Sequence, residues 1–107
     1  MNALAIALLS GALQGDVSAD VDIVAYDNFT FAARVGERLD GRGTPSPVDD
    51  VFRTDYIVRG TWDQIADQVR IHGPHWAAQV FIDGSQLEGE WSCSHHRGRI
   101  KLESFCL

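Results

Sequence analysis

The sequence is short of basic residues, of cysteine, of proline and of any long apolar run, and each shortage removes a class of function. Nine Lys and Arg stand against 15 Asp and Glu, a formal charge of -6. Nucleic-acid-binding domains need a basic surface to displace counterions from phosphates, so that class is excluded. The one locally basic stretch, His95 to Lys101, has no interleaved aromatic side chain and falls where a turn is expected, so it reads as a solvated hairpin tip. The most apolar segment, Met1 to Gly15, falls short of the roughly 20 residues a membrane-spanning helix requires, so a helical integral membrane protein is not expected. C-x-x-C, H-x-x-x-H and G-x-S-x-G are all absent, as is the oxygen spacing of a calcium loop. A chain of 107 residues has room for one core and no separate catalytic domain.

A short echo is present. Val58-Arg59-Gly60-Thr61-Trp62 and Leu87-Glu88-Gly89-Glu90-Trp91 both read apolar, polar, glycine, polar, tryptophan. Residues two apart share a face of a strand, so Val58, Gly60 and Trp62 point one way, as do Leu87, Gly89 and Trp91. A glycine inside a strand leaves space that an aromatic side chain of a neighbouring strand can fill, so the tryptophans are expected to lie over the glycines.

From Asp55 onward the chain reads as an antiparallel meander. Strands are expected over about 55 to 62, 68 to 72, 76 to 83, 86 to 93 and 99 to 103. Asp83-Gly84-Ser85-Gln86 carries the signature of a type II′ two-residue hairpin. That turn fixes a register in which Ile82 faces Leu87, Val80 faces Gly89, Ala78 faces Trp91 and Trp76 faces Cys93. A slip by one residue would turn Glu88 and Glu90 into the core. Lys101 is placed across from Glu90, and Gly73 is expected to supply the unusual dihedral of the His72 to His75 reversal. Upstream, 20 to 26 and 29 to 35 form a further hairpin around Asp27-Asn28. Residues 36 to 50, with three glycines and two prolines, form a loop of about 15 residues.

Residues 1 to 19 are read either as a secretory signal peptide with cleavage before Asp20 or as a retained N-terminal helix capped by Asn2. Residues 20 to 107 then form a single β domain. The signal reading implies a secreted or periplasmic protein, and the retained helix a cytoplasmic one.

Hairpin turns alternate between the two ends of a meander, so the expected registers gather His72, His75, His95 and His96 with Cys93 at one end. Imidazoles suit zinc, copper or nickel, which makes these four histidines a candidate metal site. The opposite end collects Asp63, Asp67 and Asp83. Trp62, Trp76 and Trp91 could line a ligand cup if the sheet curls. Cys93 and Cys106 are expected to pair in an exported domain, provided the chain turns after Glu103; straight continuation would leave them roughly 20 Å apart, beyond the reach of a bridge.

Gly60-Thr61-Trp62 and the hairpins that follow resemble lipocalin-like and other small bacterial β-barrel domains. The resemblance implies a curved sheet or partial barrel and assigns no binding residue. The expected fold is therefore mainly β: a curved antiparallel meander of five to seven strands with a short helix or signal segment in front. The expected function is a non-enzymatic exported binding or interaction module for a small molecule or a protein, with no cofactor. The alternative is a transition-metal-binding domain using zinc or copper at the histidine end.

Overall fold

The computed structural model describes residues 3–38 and 52–105. Within them the chain forms eight strands: β1 (Ala5–Gly15), β2 (Ala19–Tyr26), β3 (Thr30–Arg38), β4 (Phe52–Ile65), β5 (Gln68–Gly73), β6 (Trp76–Asp83), β7 (Gln86–Cys93) and β8 (Arg97–Phe105). Each pairs antiparallel with the next, and β8 closes on β1. The meander is thus a closed barrel, which leaves no sheet edge unpaired.

Alternation decides which residues fill the lumen. Along β7, Leu87, Gly89 and Trp91 are buried while Glu88, Glu90 and Ser92 face water. Val69 and Ile71 of β5, Ala78 and Val80 of β6, and Ile100 and Leu102 of β8 follow the same rule and meet Leu9, Val21, Ile23, Phe31 and Val35 across the interior. The β6–β7 register is the expected one, with Ile82 opposite Leu87, Val80 opposite Gly89, Ala78 opposite Trp91 and Trp76 opposite Cys93. Gly84 takes a φ of 63° and Ser85 stays out of the positive region, as a II′ turn requires.

Several expectations are corrected. The apolar N-terminal segment is strand β1 rather than a helix, and among the described residues there is no helix. Leu9 and Leu13 point into the lumen, while Leu8, on the outer face, is only 6% exposed. A strand with apolar residues on both faces loses the alternating signature and reads as a helix. The sheet is a full barrel of eight strands, not a partial one of five to seven, because β1 fills the gap between β2 and β8.

The tryptophans do not fill the space beside the glycines. A Cβ on Gly60 would stand 1.9 Å from the carbonyl oxygen of His72, and one on Gly89 would stand 1.8 Å from that of Gln79. The backbone of the adjacent strand occupies that room, which lets the strands coil tightly enough to close.

Other local readings change as well. Lys101 pairs with Glu88, its ammonium 3.3 Å from the carboxylate, and Arg99 takes the place opposite Glu90. The positive φ of the β5–β6 turn falls on His75, at 59°, while Gly73 remains in β5 opposite Trp76. Phe29, expected in a strand, sits in the β2–β3 turn at φ 64° with its ring centroid 5.1 Å from that of Trp62. Gly36, expected at the start of the long loop, still pairs with Asp20 and Thr54, so β3 runs on to Arg38. Most of that loop lies outside the described residues.

Candidate functional site

The barrel has two ends of different chemistry. The β1–β2, β5–β6 and β7–β8 turns lie at one, the histidine end. The β2–β3, β4–β5 and β6–β7 turns lie at the other, the far end.

At the far end the lumen is not filled. A cavity of about 240 Å³ opens there, walled by Leu9, Ile23, Phe31, Trp62, Ile71 and Leu87 among others. Among the described residues no charged side chain lines it, and the polar ones are Gln64 and Ser104. An eight-stranded barrel has an interior just wide enough to be packed shut or to hold one small ligand. Here Ala7 and Ala25 face the cavity where larger residues would close it. Trp62 presents its ring to the cavity while its indole N–H donates to the Tyr26 carbonyl at 3.2 Å. Leu4, Ile6, Phe29 and Ile65 are all exposed at this end of the barrel, and Ile6 also lines the cavity. Leu4 is held there by a mutual pairing with Asp27, whose carboxylate accepts from its N–H at 3.0 Å.

At the histidine end a pocket of about 500 Å³ gathers Trp76, Trp91, Cys93, His75, His95 and His96 beside Tyr56 and Arg59. The expected clustering thus holds for three of the four imidazoles. His72 is separate: it points outward from β5 between Thr61 and Ala77 and borders a different surface hollow with Arg70 and Glu90. Among the described residues no three His, Cys, Asp or Glu side chains are arranged to hold a metal ion. The three tryptophans do not share a cup either. Trp76 and Trp91 belong to the histidine end and Trp62 to the far end.

Cys93 is a half-buried free thiol, and Cys106 lies outside the described residues. The turn expected after Glu103 is absent. Ser104 and Phe105 continue β8 opposite Leu9 and Leu8, at the far end, while Cys93 sits at the histidine end. Tyr56 has a pKa raised above its ordinary 10.0, first by burial and then by the proximity of Cys93; the Trp76 indole acts in the opposite direction and Asp55 adds a smaller upward push.

A third polar feature belongs to no sequence motif. On the outer wall Asp22, 4% exposed, takes two hydrogen bonds from Arg34, at 2.7 and 3.0 Å, one from Ser10 at 2.6 Å, and a short ionic contact from Arg38. Phe52 stacks under both guanidiniums, 4.4 Å from Arg34 and 5.5 Å from Arg38. The register that sets Asp22 opposite Arg34 and Ser10 builds this cluster. The carboxylate is saturated with donors, so the cluster serves as a strap across β1, β2 and β3 rather than as a reactive group. The one signal of it in the sequence is an aspartate flanked by β-branched apolar residues, Val21-Asp22-Ile23.

The chain matches no family model, no curated protein and no solved structure.

Proposed function

We propose that this protein is a non-enzymatic binding module that takes a small uncharged apolar molecule into the far end of its lumen. The observation that carries the reading is the unfilled cavity of about 240 Å³, lined by no charged side chain among the described residues and bordered by exposed Ile6. An apolar cavity of about 150 Å³ already binds benzene, so this one suits a molecule of one or two rings or a short alkyl chain. The driving force is the apolar surface removed from water, with no charged group to pair.

The test is a titration with toluene followed by methyl resonances of Ile23, Ile71 and Leu87 and by the Trp62 indole N–H. Saturable shifts at these positions are expected, and Ala25→Leu, which fills the cavity, abolishes them while raising the melting temperature. Unmoved methyls, or equal binding by Ala25→Leu, would remove the reading.

A further inference from the structure

Two of the three indole N–H groups are satisfied by backbone carbonyls: Trp62 by Tyr26, and Trp91 by Gln14 at 3.3 Å. The third is not. Trp76 is 3% exposed, and its buried Nε1 closes no hydrogen bond of good geometry among the described residues. A buried donor left unpaired is rare in folded proteins and asks for an acceptor. Trp76 lines the pocket at the histidine end beside Tyr56, and the phenol's ionisation feels the indole N–H. The donor therefore faces the hollow rather than the packed lumen.

The surroundings say what kind of acceptor belongs there. Among the described residues, those around this pocket include Arg59 and no Asp or Glu, in a chain where acids outnumber Lys and Arg by 15 to 9. Such a local reversal of charge favours an anion. The remaining wall, with Val17, Ile57, Pro74 and Trp91, is apolar and suits a ring or short chain. Tyr56 is partly exposed and lines the same pocket.

The geometry points to a second binding site, at the histidine end, for a small organic monocarboxylate whose oxygen accepts from Trp76 Nε1–H and whose charge is met by Arg59. It is independent of the far-end cavity, and the indole resonances distinguish the two, since Trp62 reports one and Trp76 the other.

Benzoate is the probe, with benzyl alcohol as its uncharged counterpart, each titrated into the full chain labelled with nitrogen-15. The Trp76 indole proton should move downfield saturably with benzoate while Trp62 stays fixed, and benzyl alcohol should bind about tenfold more weakly because the charge-assisted bond is lost. Arg59→Gln, a change outside the core, should weaken benzoate severalfold and leave benzyl alcohol unchanged; Trp76→Phe should remove the preference for the acid. A Trp76 resonance that stays put throughout the titration overturns the proposal. Equal affinity for acid and alcohol, or unchanged benzoate binding in Arg59→Gln, also overturns it.

Discussion

Replacing Gly89 by alanine tests how this barrel closes. The added Cβ would stand 1.8 Å from the carbonyl oxygen of Gln79 and 2.8 Å from the Cα of Val80, where ordinary contact begins at 3.4 Å. Both obstacles are backbone atoms of β6, so no side chain can swing aside. Strand β6 or β7 must move by more than an ångström, through a stretch that positions Val80 and Trp91 in the core. Overpacking costs roughly 1 to 3 kcal/mol where side chains can adjust, and a backbone obstacle places Gly89→Ala at about 3 kcal/mol or above. A typical domain has only about 5 to 15 kcal/mol in total. Gly84, in the same hairpin, is the internal control. It has φ 63°, but a Cβ added there would meet no atom within 4 Å, so Gly84→Ala carries only the left-handed backbone cost, about 1 to 2 kcal/mol. Urea unfolding followed by tryptophan fluorescence compares the two, with equal slopes as the condition for reading midpoints as stability. A Gly89→Ala protein that loses no more stability than Gly84→Ala would refute the close-approach reasoning.

Asp22→Ala removes the anion that Arg34, Arg38 and Ser10 surround, and with Arg34 partly exposed the loss should be about 2 kcal/mol in urea; no loss would mean that the strap adds nothing to stability. In a Tyr26→Phe background the absorbance of the Tyr56 phenolate should titrate with a midpoint above 10.0. The protonated phenol is favoured in the folded state, so its contribution to stability is complete below pH 10.0 and is lost as pH rises through the raised value; a midpoint at or below 10.0 contradicts the partial desolvation of this hydroxyl. Deleting residues 1 to 19 removes β1 and leaves β2 and β8 with open edges, so cooperative thermal unfolding should disappear; a sharp melt near that of the full chain would show that the domain stands without β1.

The second half of the chain is legible in the sequence because its strands obey strict alternation and its turns are short. The Gly84-Ser85 reversal fixes the β6–β7 pairing, and inward Leu87, Gly89 and Trp91 leave no competing register. The first half is harder for a physical reason. Leu8 is buried on the outer face of β1 while Leu9 and Leu13 are buried inside, so the period of two vanishes and a helix or signal segment looks equally good. Closure is a consequence of that hidden strand, and a pattern of isolated segments does not reveal that β1 and β8 meet. The histidine clustering follows from turn parity and holds for His75, His95 and His96; it fails for His72 because that residue lies within β5 on the outward face, not in the turn. The far-end cavity is invisible in the sequence because it arises from small residues, Ala7 and Ala25, whose inward direction matters only once the barrel is closed.

Closure between the first and last strands is what makes a lumen, and cross-strand nuclear Overhauser contacts test it directly. Contacts linking Leu9 with Ser104 and Gly11 with Leu102 are expected, alongside those linking Leu9 with Ile23. Residues 5 to 15 showing helical contacts between positions three apart, with none to residues 98 to 105, would contradict the barrel and the cavity inside it.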